Sequence, residues 1–258
     1  MSRLSERLGR VRKSSGSIGF GVGANRVEAR RMLVLPVLDA ALFGDAGETL
    51  RRCVDAIIVQ HRPEEGRSAL TATQESFKEV PVGLRLAGPD FDEKALVGEC
   101  DFILCTIDAP FSVLTLKSTG LFLELDAGVE AGRLRALADL GVEGVVLTAE
   151  SLDLRSLATA VECRRVRTMA GCPLMLKVLA PPSPTEVSGL WRSGVDGLVT
   201  DTGGGIDLLL AVRDAIDQAK LDTSTTQADL AVSIGSQLRG MSGMDEEEVV
   251  EDDDYDGA

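Results

Sequence analysis

Three charged residues stand inside runs that are otherwise apolar: Arg85 in Val82–Ala87, Glu124 in Leu121–Leu125 and Lys177 in Leu174–Leu179. A charge in such a run is costly to bury unless it is paired. Alternation along an extended strand puts Glu124 on one face with Phe122 and Asp126, Lys177 with Met175 and Leu179, and Arg85 with Gly83 and Ala87. If the three faces converge, they form a mixed-charge cluster with Gln60 and Asp201 close by. A desolvated lysine beside carboxylates can act as a general base or form a Schiff base with a carbonyl substrate. The competing reading is a layer of ion pairs that fills a polar core.

A second candidate is Asp201-Thr202-Gly203-Gly204-Gly205, between an apolar run and a helix that begins near Ile206. Glycines let the backbone approach a ligand, and free N–H groups at a helix start favour an anion. Asp201 and Asp207 oppose one, so a plain strand-to-helix turn is the alternative. Gly19 to Gly23 has three glycines in the wrong spacing for a phosphate loop and reads as a flexible lead-in. His61, the one histidine, reads as a rim residue beside Arg62. Asp39, Asp108 and Asp126 each follow a strand candidate; helix capping explains them better than a metal site, and no metal is expected. The five cysteines, Cys53, Cys100, Cys105, Cys163 and Cys172, have no CxxC spacing and read as reduced, mostly buried thiols.

The elements that must position these residues alternate short apolar strands with amphipathic stretches. The strand candidates are Met32–Leu38, Ala56–Gln60, Val82–Ala87, Phe102–Thr106, Leu121–Leu125, Gly144–Thr148, Leu174–Leu179 and Gly197–Asp201. Helices are expected over Glu130–Leu140, Leu152–Met169 and Thr185–Ser193, closed by Gly141, Gly171 and Gly194. Such a succession specifies an α/β fold, a TIM-type (βα)8 barrel. Phe91–Val97 and Pro110–Ser118 are short for barrel helices, so the third and fourth βα units are expected to be irregular. An open doubly wound parallel sheet is the alternative.

Two near-repeats, Leu140-Gly141-Val142-Glu143-Gly144-Val145-Val146-Leu147 and Ser193-Gly194-Val195-Asp196-Gly197-Leu198-Val199-Thr200, each end a helix on glycine and turn on an acid into a strand. In these steps the chain resembles the aldolase-type and phosphate-binding TIM-barrel proteins, over roughly Met32 to Lys220. The resemblance implies the architecture and a ligand site at the strand C-termini, without an activity.

Charge divides the chain into a basic segment over 1–31 (net +6), an acidic barrel over 32–220, a helical extension over 221–242 and an acidic tail over 243–258 too charged to fold, with −9 carried by residues 245–258. Leu4, Leu8 and Val11 share one face of a short basic helix, read as docked on the surface or frayed, with membrane or partner contact as the alternative. The net charge of −14 and the aromatic content of 3% disfavour nucleic acid. No apolar run approaches the ~18–20 residues of a membrane span, and no secretory signal is written, so the expected compartment is cytoplasmic.

The leading functional expectation is a barrel that binds a small anionic or phosphorylated metabolite with lyase or aldolase-like chemistry. Lys177 and Glu124 are the chemical pair, with Arg85 beside them, Gln60 and Asp201 on the ligand, and Gly203, Gly204 and Gly205 on its phosphate. It requires no cofactor. The alternative is a non-catalytic scaffold that meets a protein partner through residues 1–15 or 245–258. A third reading is an FMN-binding oxidoreductase, since related barrels hold the FMN phosphate at the same turn.

Overall fold

The computed structural model describes residues 1–13, 32–38, 47–60, 66–86, 100–116, 118–148, 152–201 and 205–221. Eight strands form one closed parallel barrel in sequence order. They are β1 (Leu33–Leu38), β2 (Ile57–Gln60), β3 (Val82–Arg85), β4 (Phe102–Thr106), β5 (Gly120–Asp126), β6 (Gly144–Thr148), β7 (Leu174–Val178) and β8 (Val195–Asp201). β8 closes on β1, with Leu33 opposite Gly197 and Val37 opposite Asp201. The open-sheet alternative is thereby excluded.

The described helices are α1 (Arg3–Lys13), α2 (Gly47–Cys53), α3 (Gly66–Ser76), α4 (Ala131–Asp139), α5 (Leu157–Ala170), α6 (Pro184–Arg192) and α7 (Gly205–Gln218). Local chemistry fixes their ends. Ser183 accepts from Glu186 N while the Glu186 side chain takes the Ser183 N–H, a capping box with Pro184 in the first turn. Gly141, Gly171 and Gly194 have φ of 72°, 64° and 100°, the left-handed geometry expected where α4, α5 and α6 end. The Leu152–Met169 helix starts five residues later than its periodicity suggests. Ser156 caps it at Ala158 N, and Asp153 accepts from Ser156 N and from the Thr159 hydroxyl, so 152–156 are spent on the cap.

β4 and β5 are joined through a 3-10 turn, Phe111–Thr115, where a barrel usually has an outer helix. The irregularity expected in the fourth unit is therefore present. Phe91–Val97, in the third, lies outside the described residues.

The registers assign side chains to the barrel interior. Ile58 pairs with Gly83, Gly83 with Phe102, Leu104 with Phe122, Phe122 with Gly144, and Val146 with Met175, so these point inward. Tilted strands bring alternate strands to one level. Ile58, Leu104, Val146 and Val199 form a level of fully buried apolar side chains. Beneath them Phe102 and Phe122 meet edge to face, their centroids 5.4 Å apart. Both rings need neighbours without side chains: a Cβ on Gly83 would come within 2.4 Å of the Phe102 ring, and one on Gly144 within 2.6 Å of Phe122.

α1 forms the floor. Leu4, Leu8 and Val11 are buried in the main core. The orphan N–H groups at the helix start are met by carboxylates just ahead of two strands. Asp101 accepts from Arg3 N (2.8 Å) and Leu4 N (3.0 Å), and Glu143 from Ser2 N (3.1 Å) and Ser2 Oγ (2.5 Å). Arg7 reaches the carbonyls of Asp55 and Glu79, both at 2.6 Å. Beside this floor Asp55 accepts from Val34 N at 2.9 Å and pairs with the buried guanidinium of Arg213 on α7.

By contact the chain divides into two units, Met1–Asp222 and Thr223–Ala258. The second, with most of the helical extension and all of the acidic tail expected from composition, lies outside the described residues. No described helix is long and apolar enough to cross a membrane.

All five cysteines are buried thiols outside any disulfide. Burial pushes the thiols of Cys105 and Cys172 up from 9.0 to about 11, and that of Cys163 to about 12. The unfolded chain releases these protons near 9 while the fold retains them, so stability is full below about pH 9 and falls as pH rises through the folded values. Urea midpoints between pH 7 and pH 11 should decrease accordingly, and a thiol reagent at pH 7 should react only with the unfolded chain. For the floor, Leu8→Ala is expected to cost about 3 kcal/mol in urea unfolding. Arg10→Ala, on the exposed face, is expected to change stability by less than about 0.5 kcal/mol.

Candidate functional site

The level above Ile58, Leu104, Val146 and Val199 is the first that carries charge. Arg85 ends β3, Glu124 lies near the end of β5, and Lys177 is next to last in β7; Val37 of β1 is the fourth member. The next level, at the mouth, combines Gln60, Thr106, Thr148 and Asp201 from β2, β4, β6 and β8. The barrel is thus apolar below and ionic at the C-terminal ends of its strands.

Within these two levels the contacts form one chain. Arg85 holds Glu124 with both edges of the fork, Nε to Oε2 at 2.7 Å and Nη2 to Oε1 at 2.8 Å. Its remaining nitrogen, Nη1, donates to Gln60 Oε1 at 3.3 Å. Lys177 Nζ lies 3.7 Å from Glu124 Oε1 and 2.9 Å from Asp201 Oδ2. Gln60, Arg85, Glu124, Lys177 and Asp201, each singled out in the sequence, are therefore brought together.

Exposure divides their roles. The side chains of Glu124 and Lys177 are 7% and 8% exposed, whereas Arg85 is 26% and Asp201 38% exposed. Glu124, with both oxygens on Arg85 and one also facing Lys177, organises the cluster and has no oxygen left over. Asp201 offers a carboxylate to the mouth and fixes the Lys177 ammonium beside it. An amine in that ion pair must leave Asp201 before it can attack a carbonyl.

The rest of the mouth is polar. Thr148 Oγ1 donates to Asp126 Oδ1 at 2.7 Å. Asp126, one of three carboxylates considered for a metal, is thereby engaged; Asp108 is exposed in a turn, and Asp39 lies outside the described residues. No group of three metal-ligating side chains occurs among the described residues. Thr106 and Thr148 did not stand out in the sequence, although alternation from Leu104 and Val146 puts both on the inward face.

Of the glycine-rich turn, Gly205 opens α7 with φ 69°, and Asp207 sits in the first helical turn. Thr202, Gly203 and Gly204 lie outside the described residues, as does His61.

No protein-family model and no curated protein matches the sequence. Solved structures do. A 3-hexulose-6-phosphate synthase aligns with a TM-score of 0.53 at 17% identity, over 71% of this chain and 99% of its own. A tryptophan synthase chain from M. tuberculosis, in a ligand-free form, gives 0.60 at 12% identity over 84% and 98%. A thiamine phosphate pyrophosphorylase from Pyrococcus furiosus gives 0.51 at 12% identity over 73% and 97%. The likeness is one of fold, the (βα)8 barrel. Each of these chains is covered almost end to end, so the barrel alone accounts for the match.

Removing one member of a buried ion cluster strands the others. Glu124→Ala is expected to cost about 3 kcal/mol in urea unfolding, because Arg85 and Lys177 lose their shared carboxylate. Arg155→Ala, which removes exposed pairs with Asp153 and Glu186, is expected to cost no more than about 1 kcal/mol.

Proposed function

We propose that the chain is an enzyme that binds a small anionic or phosphorylated metabolite at the mouth of the barrel and performs lyase or aldolase-like chemistry at a carbon next to a carbonyl. The observation that carries this reading is the ionic chain itself: two cations and two carboxylates connected at the strand C-termini, with Arg85 and Asp201 open to the mouth. Such a cluster is a poor device for stability, since well-packed apolar residues in its place are often at least as stable. The levels beneath it already fill the barrel. Its position is where barrel enzymes carry their reactive groups.

In this reading Asp201 takes a proton from the substrate. The electron pair left behind moves onto the substrate carbonyl oxygen, and the Lys177 ammonium stabilises the developing charge. Glu124 and Arg85 are positioning residues that hold Lys177 in place, and Gln60 fixes the outer edge of the Arg85 fork. The phosphate would be held by the glycine-rich stretch of Gly203, Gly204 and Gly205 that leads in sequence into α7. Support for a phosphorylated ligand comes from two enzymes that share the fold and whose names carry one, 3-hexulose-6-phosphate and thiamine phosphate.

The test combines binding and isotope exchange. A panel of sugar phosphates and phosphorylated keto acids is screened for a rise in thermal midpoint, and each hit is incubated in D2O and followed by NMR. Deuterium should enter at the carbon beside the carbonyl. Asp201→Asn should lower that exchange by about 10²–10⁴-fold with an unchanged circular dichroism spectrum, and Lys177→Met should lower it as well. Borohydride in the presence of the hit should leave Lys177 unmodified; trapping there would replace proton transfer with Schiff-base chemistry. A panel without a stabilising compound, or exchange indifferent to both variants, would overturn the proposal.

A further inference from the structure

Among the described residues, the crossover from β4 to β5 leaves part of the barrel wall without its usual cover. A parallel sheet is ordinarily screened by helices on its outer face, but here the described part of the crossover is a 3-10 turn. The outward side chains Cys105, Leu121 and Leu123 consequently floor an apolar cavity of about 270 Å³. One wall comes from the turn, with Phe111, Val113 and Leu114, and the other from α4 and its end, with Leu137 and Leu140. Ile107, Phe111, Leu114 and Leu140 are exposed along the rim, and Phe111 is 89% exposed. Exposed apolar side chains gathered in one patch, rather than scattered singly, mark an interaction site.

We infer that this face binds a second copy of the same chain about a two-fold axis, each Phe111 entering the cavity of its partner. A two-fold interface must be complementary to itself, and this patch holds both halves of such a contact. Phe111 projects beside a cavity larger than the ~150 Å³ that suffices for a benzene ring. The charges obey the same symmetry. Arg133 lines the α4 wall, and the exposed Asp108 stands in the chain between Ile107 and Ala109, which both line the cavity; neither Arg133 nor Asp108 forms an ion pair among the described residues. A two-fold axis running along the groove places each wall against the other wall of the partner and so brings Asp108 of each copy towards Arg133 of the other. A single-sign rim would repel its own copy.

Sedimentation velocity of the full chain over a roughly hundredfold concentration range should show a species of twice the chain mass of 27.3 kDa that dissociates on dilution. Phe111→Asp should give the single-chain mass throughout, with an unchanged circular dichroism spectrum. Arg133→Asp should weaken association by about tenfold or more, and Asp108→Arg combined with Arg133→Asp should restore it; this rescue does not depend on how the Phe111 variant folds. A wild-type chain that stays single at every concentration means that something other than a second copy covers the groove, and overturns the proposal. So does a dimer whose affinity is indifferent to Phe111→Asp and to the charge exchange.

Discussion

Eight tilted parallel strands that close on themselves leave no freedom in which side chains share a level. Once β8 pairs with β1, every inward residue has a fixed height, and one change of register would move Arg85, Glu124 and Lys177 onto different levels or out of the barrel. The ionic chain at the mouth is thus a consequence of closure. The apolar levels below it fill the interior with Phe102 and Phe122 where Gly83 and Gly144 give them room, and keep water away from the underside of the charges. Low dielectric beneath and solvent above leave Glu124 and Lys177 strongly coupled to their partners, while Arg85 and Asp201 stay partly open to solvent.

The two ends of the barrel use carboxylates for opposite purposes. At the bottom, Asp101 and Glu143 terminate the start of α1, Asp55 joins β1 to α7, and Asp196 accepts the N–H of Leu174 at 3.0 Å, fixing the entry to β7. Each of these acids accepts from backbone N–H groups, and those of Val34 and Leu174 would otherwise be buried without a partner. At the mouth Glu124 and Asp201 are instead paired with the cations Arg85 and Lys177. The acids at the bottom thus secure the ends of strands and helices, whereas those at the mouth belong to the ionic chain.

Much of this was legible in the sequence because its signals are local. Apolar runs bounded by glycine marked the strands, and a charge inside such a run marked Arg85, Glu124 and Lys177. Alternation gave the face each residue occupies. It could not give height, because the pairing of parallel strands is set across long crossovers and not by neighbours in the chain. Thr148 and Thr106 therefore passed unnoticed although they belong to the mouth. Leu152 and Leu154 continued a helical pattern that Ser156 interrupts by capping. The acids of the two near-repeats were readable as turn residues. That Asp196 clips the neighbouring strand, and that Glu143 receives the start of α1, depends on contacts far apart in the chain.

The docking of α1 also bears on the order in which the molecule can be assembled. The helix precedes all eight strands, yet its start is held by Glu143, 141 residues away from Ser2. Until β6 has been made and placed, the floor that Leu4, Leu8 and Val11 cover is incomplete and the Ser2 N–H has no acceptor. The helix can therefore be fully docked only on a nearly complete barrel, and that docking closes one long loop of the chain. A growing chain carries that apolar face in the open for most of its synthesis, where it is available to chaperones.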